Sequence, residues 1–237
     1  MIRVCTTRSI TVLALAILLA ITVPPKGRAA EVIDRIVASV NGRIILQSDW
    51  DQALCYEALL NGRSLSQFTD DDRRAVLDRL IDQELLRGQM KSTEFQHASD
   101  AEAAARIADA RKQYPEAVND ARWQSLLAKY RLAERDLLAH VRQQIDLMRL
   151  VDARLRPAVQ IDSKTIEAYY REKFVPQLRQ SGGSEVPLAD VTAKIRELLT
   201  EEKVSELLVS WLQTLRSESS VRLPGTSGSP AEGEQTR

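Results

Sequence analysis

The alternation of apolar and polar positions changes rhythm early in the chain. Residues 31–47 read EVIDRIVASVNGRIILQ, two β-branched runs (33–40 and 43–46) around Asn41-Gly42. Both turn residues tolerate the positive φ of a type I′ turn, so the pattern predicts a β-hairpin. A lone hairpin is marginal in water and needs a third strand or a covering helix. From Ser48 onward the period is helical. Ser48, followed by Asp49 and Asp51, predicts an N-cap and a helix to about Leu60, ended by Asn61-Gly62. Thr69 predicts the next cap, with Asp70, Asp71 and Asp72 in the first turn. Val76, Leu77, Leu80, Ile81 and Leu85 then form one apolar face, in a helix running to about Met90.

The helical rhythm continues. Ser99-Asp100 predicts a cap for an alanine-rich helix over 101–112, expected to pack lightly because it has few large apolar residues. Pro115 separates it from a helix over 116–130 carrying Val118, Trp123, Leu126 and Leu127. Residues 133–155 place Leu138, Val141, Ile145, Met148 and Val151 or Leu155 on one face, with Pro157 as the stop. Asp162 or Ser163 caps a helix over 164–173 with Ile166 and the pair Tyr169-Tyr170. Residues 175–187, VPQLRQSGGSEVP, read as an internal linker. A long amphipathic helix follows over 188–216, then a short strand over 220–223. Residues 224–237 read as a disordered Gly/Ser/Pro-rich tail. The expected fold class is mostly α, a multi-helix domain with a small N-terminal hairpin.

Composition narrows the function classes. Among 237 residues, 33 basic and 33 acidic groups cancel, which argues against a nucleic-acid binder. Two cysteines and two histidines exclude a disulfide framework and a Cys- or His-rich metal centre. The first thirty residues alter the balance. Arg3 and Arg8 precede an uncharged stretch over 10–23, too short for a comfortable membrane span, then Pro24-Pro25 and the small residues Gly27 and Ala29. This reads as a cleavable secretory signal, cut after Ala29 or Ala30, with an uncleaved anchor as the alternative. Removing four basic residues from 33 leaves 29 against 33 acidic, a mature net charge of −4, with Cys55 as the one remaining cysteine.

Several stretches together resemble one family. Ile33–Gly42, Ile44–Gln52 and the helix Leu77–Leu85 are similar to the N-terminal domain of SurA-like periplasmic chaperones for outer-membrane proteins. Residues 142–155, Val159–Asp162 and Ile166–Tyr170 resemble that domain's later helices. Val186–Val191, Ile195–Leu199 and Trp211-Leu212 resemble the helix that returns after the isomerase domains of that family. The resemblance spans about residues 31–223. It implies that the returning helix and strand complete the N-terminal domain (31–174 with 188–223). Parvulin-type isomerase domains of roughly a hundred residues occupy the place of 175–187 in such relatives. Thirteen residues cannot bury a core, so isomerase activity is not carried over.

The resemblance implies an exported, periplasmic, ATP-independent holdase for unfolded outer-membrane or secreted polypeptides. It implies no catalytic residues, cofactor or metal, and neither nucleic acid nor a small-molecule substrate as partner. The chain is expected as a monomer or a helix-swapped dimer. A holdase needs exposed apolar and aromatic side chains, with sheet-edge pairing as a further contribution. The candidates for peptide binding are Trp50, Tyr56, Phe68, Trp123, Tyr130, Tyr169 and Tyr170, against the alternative that aromatics at helical spacing belong to the core. His97 and His140 form no motif, Asp70–Asp72 suit a helix N-terminus better than a cation site, and Cys55 reads as a small core residue. Two rival functions remain: a degenerate parvulin-type isomerase, and an envelope scaffold with one fixed partner.

Overall fold

The hairpin forms where Asn41-Gly42 allows it. In the computed structural model, which describes residues 34–184 and 186–224, Asn41 and Gly42 have φ of 50° and 83°. They join β1 (Ile36–Val40) to β2 (Arg43–Leu46) in an antiparallel pair. A register irregularity between Ile36 and Ala38 turns both Val37 and Ala38 into the interior. The third strand that the hairpin needs is β3 (Val221–Arg222), antiparallel to β1, so the sheet order is β2-β1-β3.

Asn41 is the latch between the two ends of the fold. Its N–H donates to the Ser220 carbonyl at 3.0 Å, its Nδ2 donates to Ser219 Oγ at 2.9 Å, and its Oδ1 accepts from the Ser220 N–H at 2.9 Å. Replacing Asn41→Gly keeps the positive φ but removes both side-chain bonds. It is expected to cost about 1–2 kcal/mol, read as a lower urea midpoint. An unchanged midpoint would show that the latch carries no stability.

Helices α1 (Gln47–Asn61), α2 (Asp70–Gln89), α3 (Asp100–Arg111), α4 (Asp120–Lys129) and α5 (Glu134–Leu155) follow in order. Thr69 and Ser99 cap α2 and α3 as their sequence predicts, each accepting from the N–H three residues on. Ser48 does not cap α1. The helix starts two residues earlier, with Leu46 in the cap position, and Ser48 instead hydrogen bonds to the Asp34 carboxylate while Asp49 accepts from the Leu46 N–H at 2.9 Å. The alanine-rich α3 packs closely on α5 rather than lightly. Small side chains let the two backbones approach, and Ala103 is completely buried. Arg142 to Asp100, at 2.9 Å, and Arg149 to Glu102 then tie the pair at its rim.

The buried face of α5 also differs from expectation. Leu137, Leu147 and Leu150 are its buried residues, whereas Met148 is 56% exposed. A helix with neighbours on several sides buries more than one stripe: Leu138, Val141 and Val151 of the expected face pack at the edges of the apolar clusters, while Leu137, Leu147 and Leu150 lie deeper.

After α5, α6 (Ser163–Tyr169) widens into a π-helical turn (Tyr170–Phe174) and continues as α7 (Val175–Gln180). The first half of the expected linker is therefore helix. Proline lacks an N–H and its ring crowds the preceding turn; the π turn just before Pro176 carries the helix past it. Gly182, at φ 75°, then closes α7 in a Schellman motif: its N–H bonds to the Arg179 carbonyl and the Gly183 N–H to that of Leu178. A Cβ on Gly183 would meet Leu178 Cδ1 at 2.5 Å.

The long helix α8 (Leu188–Glu218) links two of the three apolar clusters. One cluster joins α1, α3, α4 and the start of α5 around Leu54, Leu59, Trp123 and Leu127. A second joins the sheet, α2, the end of α5 and Leu215 of α8. The third packs Ile166 of α6 on Val191 and Ile195. Arg156 ties the end of α5 to Glu197 and Glu201 of α8, and Arg216 Nε donates to Asp82 Oδ1 of α2 at 2.6 Å. The expected signal (1–30) lies outside the described residues, as does the expected tail apart from Pro224.

Candidate functional site

Four of the seven candidate aromatics are core residues. Tyr56, Phe68, Trp123 and Tyr130 are all buried in the first cluster. Helical spacing gives the same sequence pattern whether an aromatic faces the interior or a ligand, and here the interior claims them. Burial, with Asp136 and Cys55 nearby, raises the Tyr56 hydroxyl to about 12. Trp50 is half-buried between the first two clusters, its indole N–H donating to the Arg73 carbonyl at 3.0 Å. Tyr169, which ends α6, and Tyr170, which begins the π turn, are half-buried. Tyr170 donates its hydroxyl to the Val186 carbonyl at 2.7 Å and stacks on Phe174, which secures the turn into α8. The seven do not converge on one surface.

What the fold leaves open is a groove of about 700 Å³ between the end of α3, the loop after it, α4 and the start of α5. Ala104, Ile107, Ala108, Val118 and Leu138 line it, with Trp123 beneath. Val118 is 69% exposed at its lip, and Ala104 and Ala108 are exposed along α3. The loop that shapes it is held by Arg111, whose Nε donates to the Ala117 carbonyl at 3.0 Å and whose guanidinium lies 5.8 Å from the Trp123 ring centroid. The sequence pattern places Val118 on the apolar face of a helix over 116–130. Its neighbours Asn119 and Asp120 begin α4 instead, with Asn119 accepting from the Arg122 N–H as the N-cap. The one usable signal was Pro115, which makes a loop of this stretch.

A second groove, of about 450 Å³, runs between β2, α1, α2 and α5. Its wall includes His140, whose ring stacks on Tyr56 at 3.9 Å between centroids. Burial holds the His140 pKa below its ordinary 6.5, only partly opposed by the Glu57 carboxylate. The native state therefore binds this proton less readily than the unfolded chain. Stability is full above about pH 6.5 and is lost as pH falls below it. His140→Phe keeps the ring and cannot titrate, so its urea midpoint should vary less than the native one between pH 7 and about 5. Parallel profiles would remove His140 as the cause.

Among the described residues no group of three or more His, Cys, Asp or Glu side chains is placed to hold a metal ion, and no helix is long and apolar enough to cross a membrane. Cys55 is free and buried, and burial pushes its thiol pKa up.

The architecture defines a class of mostly helical modules seeded by an N-terminal hairpin and completed by a long helix and strand from the far end of the chain. The chain belongs to the SurA-like N-terminal domain family, whose model matches residues 3–151, well over half its length. That match begins within the expected export signal and ends inside α5; α6, α7, α8 and β3 lie beyond it, where α8 packs on α2 and α5 and β3 pairs with β1. Family membership suggests a chaperone-like role and is consistent with polypeptide substrates. No curated protein matches the chain.

Proposed function

We propose that this chain is an exported, ATP-independent holdase that keeps unfolded outer-membrane or secreted polypeptides from aggregating in the periplasm. The observation that carries the reading is the open apolar groove beside Val118 in a chain of a chaperone family. Such a surface is unfavourable in water until another apolar segment covers it. The small side chains of Ala104 and Ala108 leave room for bulky client residues, and reversible holding needs no catalytic group. The export pattern of residues 1–30 supports the location. Between α7 and α8 only residues 181–187 intervene, which supports a role without isomerase chemistry.

The test is suppression of aggregation of a urea-unfolded β-barrel protein diluted into buffer, with and without equimolar chaperone. Wild type is expected to suppress light scattering. Val118→Asp and Ala108→Glu, both at exposed positions, should weaken suppression several-fold while changing unfolding stability by less than about 0.5 kcal/mol. No suppression of any β-barrel client would overturn the reading. A single stoichiometric partner recovered from the envelope would favour a fixed scaffold instead.

A further inference from the structure

One peptide unit sets the lip of the Val118 groove. Ala117 and Val118 are consecutive, yet Ala117 is only 5% exposed whereas Val118 stands out at the lip. Arg111, the last residue of α3, donates from Nε to the Ala117 carbonyl at 3.0 Å. That carbonyl belongs to the planar unit leading into Val118, so fixing it fixes the backbone that carries the Val118 side chain. The Ala117 N–H bonds back to the Tyr114 carbonyl at 2.9 Å. Among the described residues, Arg111 supplies the only side chain that hydrogen bonds to the main chain of 113–118.

Two further contacts fix the guanidinium itself. Its Nη1 donates to Oδ1 of Asp120, the first residue of α4, at 2.7 Å, and its central carbon lies 5.8 Å from the centroid of the Trp123 ring, which lines the same groove. A planar fork can hold three such partners in set directions at once, which a lysine ammonium on a flexible stem cannot. Asp120 is almost fully in water, so its ion pair adds little to stability. These contacts bear more on where the lip stands than on whether the domain folds.

We propose that Arg111 is the positioning residue of the client groove, holding Val118 at the lip of the slot lined by Ala104 and Ala108 so that apolar client side chains meet a preformed surface. This rests on the reading that the Val118 groove binds clients, and it deepens that reading by naming what keeps the groove in its binding shape. A client then does not have to order the loop itself. Where the lip is in place for only a fraction of the time, apparent affinity falls by that fraction.

The experiment is a titration of the full chain against a urea-unfolded β-barrel protein, reading the chaperone concentration that halves light scattering. Arg111→Lys should raise that concentration about fivefold, the factor that one hydrogen bond of ordinary strength represents. Val118→Asp should raise it several-fold as well, and the double variant should go no higher than Val118→Asp alone, because a displaced lip has nothing left to position. Ile195→Val, in the third cluster and away from the groove, lowers stability without touching the loop and should leave suppression unchanged. Deuterium uptake over 113–118 should rise in Arg111→Lys while α1 keeps its protection. Suppression by Arg111→Lys equal to wild type, penalties that multiply in the double variant, or equal losses in Arg111→Lys and Ile195→Val would each overturn the proposal and leave the holdase reading standing. A wild type that suppresses nothing overturns the holdase reading, and this role falls with it.

Discussion

Trp123→Ala should lower the unfolding free energy by about 3–5 kcal/mol, a large part of the 5–15 kcal/mol that typically holds a domain together. Trp123 is only 3% exposed. It sits in the cluster that joins α1, α3 and α4, with the Tyr114 ring 6.2 Å away and the Arg111 guanidinium over its face. Truncation removes the packing among those helices and opens the floor of the Val118 groove at once. Urea unfolding followed by far-UV circular dichroism measures the loss. Trp123→Phe should cost clearly less, because most of the apolar volume stays. A loss below about 1 kcal/mol for Trp123→Ala would mean that the first cluster can close without it.

The second large effect is expected at the far end of the chain. Leu215→Asp places a carboxylate among Val40, Ile45, Ile81 and Leu150, where it has no cation to pair with. The neighbouring Arg216 is already committed to Asp82 and the Asp78 carbonyl. Burying an unpaired charge in this setting costs several kcal/mol, here at least about 3. The end of α8 and β3 are expected to detach first, since Val191 and Ile195 still hold the start of α8 on α6. Amide exchange should then rise selectively in β1, which loses β3 as a neighbour, before α3 and α4 are affected. Uniform protection across the hairpin would show that β3 and α8 are not needed to close the sheet.

These two variants probe different kinds of information. The chemistry of a single residue or a short motif was readable without any structure. Asn41-Gly42 can turn a hairpin because both residues accept positive φ. Thr69 and Ser99 can cap because a side-chain oxygen replaces the missing helical acceptor. The long helix from Leu188 follows from periodicity, while the short strand after it came from the family resemblance. Local energetics decides each of these, so it travels with the sequence.

The candidate site was far less legible. Trp123, Tyr56, Phe68 and Tyr130 have the composition of a client-binding surface and the position of a core. Which one applies depends on whether α1, α3 and α4 meet, and no local pattern states that. The passage of the helix through Pro176 was likewise hidden, because it runs through a π turn whose Tyr170 and Phe174 pack on the cluster shared with α8, a contact that no local pattern states.

By itself, then, the sequence determined the elements, most of their ends and the need for a third strand. Only the tertiary structure decided that Asn41 latches the first strand to the last, that α5 buries Leu147 and Leu150 while exposing Met148, and that the Tyr56 and His140 rings stack across α1 and α5. The reason is physical: propensities and caps act over a few residues, whereas burial and grooves are properties of surfaces that distant segments make together.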